Sequence, residues 1–291
     1  MKLSGIAISL LIISPVAFSK DLDVVTSFSV LSDMVKQIGG EHVNVTSLIG
    51  PNGDPHVFEP TPKDAQRINH ADVVIVSGLG LEGWIERLIK VSGFQGQEVV
   101  ASAGINTRSM VDDGQTITDP HAWNSMKNAE IYANNIMNAL IKNDPDDAEY
   151  FLAHGKEYMT RLERLDAWAK NEFSKQPVNK RKILTSHDAF GYFGAEYGVK
   201  FLSPVGFSTE SEASAKKVSD LINQLKSEHI KTYFFENQTD LRLVKQIAAE
   251  TGAQPGGELY PEALSKEDGP APTFEAAFKH NVEIMLESMK K

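Results

Sequence analysis

Two tripeptides in the chain, Asp54-Pro55-His56 and Asp119-Pro120-His121, each carry a histidine directly behind a proline. Proline fixes its own φ and drives the residue before it into an extended conformation, so each imidazole sits on a stiff loop. Alone, either copy reads as a turn with a surface histidine, because turns favour Asp and Pro anyway. Two such loops far apart in sequence can aim two imidazoles at one point. Neutral imidazole is the commonest protein ligand for zinc and other transition metals. A metal centre is therefore the chemistry to weigh against the rest of the chain.

The segments that must position these loops alternate between strand and helix. A β-prone run at 23–27 is followed by Val30, Leu31, Met34, Val35 and Ile38 at helical spacing, stopped by Gly39-Gly40. Residues 42–49 alternate like a strand and break at Gly50-Pro51-Asn52-Gly53, which puts His56 in the loop just after it. Residues 62–69 read as helix, 71–77 as a buried strand, 81–91 as helix and 98–101 as strand, while 110–118 reads as a polar loop leading to His121. The pattern then turns helical over 125–142 and 146–175. The second of these helices, 148–174, lines up Tyr150, Phe151, Tyr158, Leu162, Leu165 and Trp168 and would run about 40 Å. After Pro177 the alternation resumes: strand at 182–186 ending in His187-Asp188, helix at 189–197, strand at 198–202, then segments 213–227, 230–236, 241–251 and 273–289.

This is an α/β pattern of two lobes, each with a parallel β-sheet flanked by helices, joined by one long rigid helix. The expected division is a first lobe at 20–145, the linking helix at 146–176 and a second lobe at 177–291. Parallel sheets bind ligands beyond the carboxyl ends of their strands, and His56 and His187 both follow apparent strands directly.

With 291 residues and 41% hydrophobic composition the chain can bury a sizeable core. Its formal charge of −10 argues against nucleic acid, which wants a basic face. Residues 1–19 read as a signal peptide: Lys2, an apolar run from Ile6 to Phe18, and the small-x-small site Ala17-Phe18-Ser19. Without Lys2 the 29 basic side chains become 28 against 39 acidic ones, so the mature charge is −11. No later apolar run is long enough to span a bilayer. The absence of cysteine excludes disulfides, thiolate metal sites and a lipid-anchored N-terminal cysteine. The expected location is the periplasm of a Gram-negative bacterium.

Several motifs in order then carry a resemblance: Val24-Val25-Thr26-Ser27-Phe28, Ile38-Gly39-Gly40, the loop from Asp54 to Pro62, Leu79-Gly80-Leu81-Glu82-Gly83-Trp84, Asp119-Pro120-His121-Ala122-Trp123, Thr185-Ser186-His187-Asp188-Ala189-Phe190-Gly191-Tyr192-Phe193 and Gly269-Pro270-Ala271-Pro272-Thr273. The mature sequence resembles the metal-binding receptors of ABC-type zinc and manganese importers. That resemblance implies one metal ion in the cleft, held by His56, His121, His187 and an acidic residue after the last strand. Here that residue is Glu262, in Tyr260-Pro261-Glu262-Ala263, where the family usually has aspartate. Its longer side chain would bind with one or two oxygens.

Three imidazoles and one carboxylate suit tetrahedral Zn²⁺, and more carboxylate oxygens would suit manganese. Manganese or iron receptors of the family commonly carry Glu at the place of His187, which favours zinc as the cargo. The short segment 110–118 has no histidine-rich insertion, which argues against a zinc-collecting loop and leaves room for Mn²⁺. The implied partners are an inner-membrane ABC permease with its cytoplasmic ATPase and a periplasmic zinc chaperone, with the receptor itself a monomer and not an enzyme.

Other residues have plainer readings. Glu59 is expected to cap the helix after it or to hold a ligand histidine, Asp188 to cap the helix from 189, and Trp123 to wall the cleft. His42, His70, His154, His229 and His280 read as surface or satisfied core histidines. The competing chemistry is a periplasmic zinc hydrolase, which would need an open three-ligand site and a general base. No His-Glu-x-x-His and no serine-centred nucleophile elbow is present, so that reading depends on Glu262 not being a ligand. A metal-stabilised adhesin is a weaker alternative.

Overall fold

In the computed structural model, the described residues are 20–112, 114–207, 209 and 214–290. The expected signal peptide lies outside them. The first lobe runs β1 (Leu22–Thr26), α1 (Ser29–Gly39), β2 (Val43–Ser47), α2 (Pro62–His70), β3 (Val73–Val76), α3 (Ile85–Ser92) and β4 (Gln97–Val100), then β5 (Ser109–Asp112) and β6 (Gln115–Thr118). Helices α4 (Met126–Asn143) and α5 (Ala148–Ser174) follow. The second lobe holds β7 (Lys182–Leu184), α6 (Gly191–Tyr197), β8 (Lys200–Leu202), α7 (Ala215–Ser227), β9 (Thr232–Glu236), α8 (Arg242–Thr251), β10 (Gln254–Leu259) and α9 (Phe274–Met289).

Each lobe has one parallel four-stranded sheet, in the orders β2-β1-β3-β4 and β10-β9-β7-β8. The sequence explains which strands are central. Val73-Val74-Ile75-Val76 of β3 is apolar throughout and buried throughout, as a strand covered by helices on both faces must be. Strand β2, at the sheet edge, alternates between exposed and buried or half-buried residues.

The spine α5 spans the residues expected of it. Phe151, Tyr158, Leu162, Ala169 and Phe173 are buried, whereas Tyr150, Leu165 and Trp168 of the anticipated stripe are half-buried. It packs on α1 and α4 and also on α6 and α9. Gly155 permits the close approach to α4, because a Cβ there would lie 2.5 Å from the Met137 sulfur. One apolar core runs from the first sheet through α5 to Phe234 and Leu259 of the second, and a smaller cluster around Leu221, Tyr233 and Ile247 completes the far side.

Polar contacts also cross between the lobes. The Phe274 N–H at the start of α9 donates to Asp33 Oδ2 on α1 at 2.8 Å, and the Leu264 N–H donates to the Ser29 hydroxyl at 3.0 Å. Arg161 on α5 donates to Gln37 at 2.8 Å and to Glu275 at 3.1 Å.

Four local expectations are corrected. Residues 109–118 form an antiparallel hairpin with Ser109 opposite Thr118, where a polar loop was expected. Its turn signal, Asp113-Gly114, stands in the sequence. Strand β10 was not among the segments given bounds in the sequence, and Pro255 is tolerated in it because β10 is an edge strand. Helix α6 starts at Gly191 with Phe190 at its cap, so Asp188 does not cap it. At α2 the cap is Thr61, and Asp64 closes a capping box by accepting the Thr61 N–H at 2.9 Å and its hydroxyl at 2.6 Å, while Glu59 is exposed.

Candidate metal centre

The aspartate of each Asp-Pro-His closes a local turn. Asp54 Oδ1 accepts the His56 N–H at 2.8 Å, and Asp119 Oδ1 accepts the His121 N–H at 3.0 Å. This is the Asx turn that Asp forms two residues on, here with proline stiffening the residue between. Two tryptophans then fasten the ligand loops. The Trp84 indole N–H donates to Pro55 O at 3.0 Å, and that of Trp123 donates to Pro261 O at 2.7 Å, next to Glu262. Trp123 is fully buried and 5.8 Å from the His121 ring, so it supports the site from behind and does not line an open cleft.

Trp84 is aimed by a left-handed run: Gly78, Leu79 and Gly80 have φ of 84°, 58° and 85°. The turn brings Glu82 back to accept the Ser27 hydroxyl at 2.6 Å, the Ser77 N–H at 2.7 Å and the Gly78 N–H at 3.1 Å. Those bonds tie the segments leaving β1 and β3 together beneath the His56 loop. Burial pushes the Glu82 carboxyl up in pKa, against these donors.

The four residues implied by the resemblance meet at one place. Glu262 Oε1 lies 2.8 Å from His56 Nε2, 2.8 Å from His121 Nε2 and 3.2 Å from His187 Nε2. His56 Nε2 and His121 Nε2 are 3.3 Å apart, and the four candidate donor atoms all lie within 4.8 Å of one another. Donors around a tetrahedral ion with bonds of about 2.0–2.1 Å stand about 3.3 Å apart. The contacts to Glu262 and between His56 and His121 lie within about half an ångström of that spacing, and the widest separations in the cluster, up to 4.8 Å, must shorten for the four donors to close on such an ion. All four side chains are 1% exposed or less. Only one Glu262 oxygen faces the imidazoles, since Oε2 accepts the Gln238 amide at 3.0 Å.

Carboxylates behind the rings set two of the tautomers. His121 Nδ1 lies 2.8 Å from Asp119 Oδ1, and Asp119 Oδ2 accepts from Arg108 at 2.8 Å. His187 Nδ1 is hydrogen-bonded to Glu236, which also accepts the backbone N–H of Ser186 at 3.1 Å and of His187 at 3.3 Å. With Nδ1–H donating, Nε2 keeps its lone pair for a metal. His56 Nδ1 is buried and has no hydrogen-bond partner among the described residues.

The electrostatics are those of a site built around a cation. Burial disfavours a charged His121, but its bonds to Asp119 and Glu262 outweigh burial and push its pKa up to about 9. His187 is raised in the same way, by Glu236 and Glu262 against its own burial. For Glu262 burial acts to raise the carboxyl, yet His56, His187 and His121 hold it well below the usual range. Asp54, buried and facing the charge of Glu262, is raised.

The remaining histidines take ordinary places. His42 pairs with Asp147 at 2.8 Å, His70 and His154 bond the carbonyls of Gln66 and Tyr150, His280 bonds Glu258 O, and His229 is exposed. Sequence reasoning missed Glu236, Gln238 and Phe207. The available signal for Glu236 was its place at the carboxyl end of Thr232–Glu236, level with His187 after β7.

Residues 24–288 match the family described as zinc-uptake complex component A, periplasmic. The manganese-binding lipoprotein MntA of Bacillus subtilis is 34% identical over 278 residues, covering 93% of this chain and 90% of the relative. The iron-binding protein YfeA of Yersinia pestis is 33% identical over 264 residues, covering 90% and 84%. Among solved structures, the periplasmic zinc-binding protein TroA of Treponema pallidum superposes with a TM-score of 0.87 at 26% identity, covering 92% of this chain and 99% of that one.

Proposed function

The chain belongs to the zinc-uptake complex component A family, the non-enzymatic, extracytoplasmic metal-binding receptors of ABC importers, and on that premise we propose that it captures a divalent first-row transition metal in the periplasm and delivers it to an inner-membrane permease driven by a cytoplasmic ATPase. The observation that carries this reading is the convergence of three imidazole nitrogens and one carboxylate oxygen at a buried point between the lobes. We assign His56, His121, His187 and Glu262 as the ligands. Four protein donors leave no open position for water, which suits capture of an ion and does not suit activation of water.

For the identity of the ion, the names of the relatives favour manganese or iron. The second reading is zinc, and one feature of this chain favours it: the third donor is His187, and Glu262 presents one oxygen, which makes an N₃O set suited to tetrahedral zinc. Because most N/O sites bind zinc more tightly than manganese, affinity alone does not name the cargo. The test has two parts. Chelator-competition titration of metal-stripped protein beside Glu262→Ala should give tight one-to-one binding that the variant loses; no binding by the wild type would overturn the reading. Accumulation of labelled manganese, iron and zinc by cells with and without the protein then names the cargo.

A further inference from the structure

The four candidate donors face one another on the inside of the cluster, and the ring of Phe207 packs against His56 and, less closely, His121 on its outside. Its centroid is 4.7 Å from that of His56, at an interplanar angle of 85°, and 6.3 Å from that of His121. A phenyl ring offers no ligand atom, so its effect at this place is to exclude water.

Phe207 is held from both lobes. Its own N–H donates to Asp112 Oδ1, on the β5–β6 hairpin of the first lobe, at 3.2 Å. Gly206 makes that approach possible, because a Cβ there would lie 2.3 Å from the same oxygen. Within the second lobe, the Asp188 N–H donates to Gly206 O at 3.2 Å and Val205 bridges to His187. Two residues beyond the ring, the Thr209 hydroxyl donates to Asp54 Oδ2 at 2.5 Å, in the very loop that carries His56. The first-lobe aspartates at 54 and 112 thus fix a second-lobe phenylalanine over the imidazoles. The hairpin, which carries no histidine between its strands, acquires a role in this arrangement.

We propose that Phe207 is a specificity-determining residue, an apolar cover that keeps water off the bound ion and so confines it to the four protein donors. The proposal rests on the reading of His56, His121, His187 and Glu262 as a metal site. Its consequence concerns selectivity among ions. Zinc is satisfied by four donors, whereas an octahedral ion such as manganese must complete its shell with further oxygens, normally water. A dry N₃O site penalises the second kind of ion more than the first.

The test uses Co²⁺ and Mn²⁺ as probes on metal-stripped wild type, Phe207→Ala and Phe207→Leu. Wild-type Co²⁺ protein is expected to show the intense visible absorption of four-coordinate cobalt, and Mn²⁺ protein a low water-proton relaxivity. In Phe207→Ala the cobalt bands weaken towards the six-coordinate form, the manganese relaxivity rises, and the zinc-to-manganese affinity ratio falls about tenfold. Phe207→Leu, which keeps an apolar cover, stays close to wild type in all three. Wild-type cobalt spectra that are already six-coordinate, or spectra, relaxivity and affinity ratio unchanged in Phe207→Ala, would overturn the cover while leaving the metal site standing. A wild type that binds neither probe would overturn the site and the cover together.

Discussion

Glu236→Gln is the substitution that most directly tests how the imidazoles are prepared for a metal. The carboxylate is buried and accepts three N–H donors: two from the backbone of Ser186 and His187 and one from His187 Nδ1. Glutamine keeps the shape but replaces one oxygen with an NH₂ group. If that group faces Nδ1, His187 must turn its proton to Nε2 and lose the lone pair the metal needs. If the amide is reversed, the NH₂ faces two backbone N–H groups and buried donors go unmet. Loss of such a partner behind a ligand histidine lowers metal affinity about 10- to 100-fold, or about 1.4–2.7 kcal/mol. The assay is chelator competition on wild type and variant, read beside the ¹⁵N shifts of the His187 ring in the zinc-loaded protein, which report which ring nitrogen keeps its proton. An affinity within twofold of wild type, with Nδ1 still protonated, would refute the argument that Glu236 sets this ligand.

Two further outcomes follow from the fold. Burial, with the nearby charges of Glu163 and Asp166, pushes Glu130 from the usual 4.5 up to about 7. The folded protein therefore binds more protons there than the unfolded chain between those values, and the group subtracts stability above pH 7 and nothing below pH 4.5. Glu130→Gln should accordingly raise the melting temperature of the metal-free protein at pH 8 and leave it nearly unchanged at pH 4, and an equal shift at both would contradict the assignment. Small-angle scattering of metal-free and metal-loaded protein should give nearly equal radii of gyration because helices of both lobes pack on α5, and a large contraction on loading would show that the spine yields.

The legible parts of the sequence were those with a local cause. Asp-Pro-His announces itself because the turn, the stiff proline and the imidazole lie within three residues, and α5 because its apolar residues recur over 27 positions. Glu236 and Gln238 were not legible, since an acid and an amide beside a strand end become site residues only through bonds to His187 and Glu262, 49 and 24 positions away. Phe207 was hidden for a similar reason. One aromatic in a polar stretch gives no periodicity, and its place is set by Asp112 across the cleft. Glu262 lay between these cases: its position followed from the resemblance, but the single oxygen it turns to the imidazoles depends on Gln238.

These dependencies also say where the molecule must give way for an ion to enter a site whose donors are all buried. The lobes are joined away from the site by α5, by Asp33 at the start of α9, by Ser29 at Leu264 and by Arg161 between Gln37 and Glu275. Opening them as rigid bodies would break all of these contacts and part of a continuous apolar core. Nearer the site, Asp112 holds Phe207 and Asp54 holds Thr209, Asn52 donates its N–H to Leu264 O and accepts from Asn237, and Trp123 donates to Pro261 O. His56 packs against Phe207, and it is the ligand histidine whose Nδ1 lacks a partner among the described residues, while His121 and His187 are each braced by a carboxylate. Local opening favours the segment with the fewest interactions to lose. On the proposed ligand set, entry and release are therefore expected at the His56 loop and the Phe207 ring beside it, with His121, His187 and Glu262 held as a half-site.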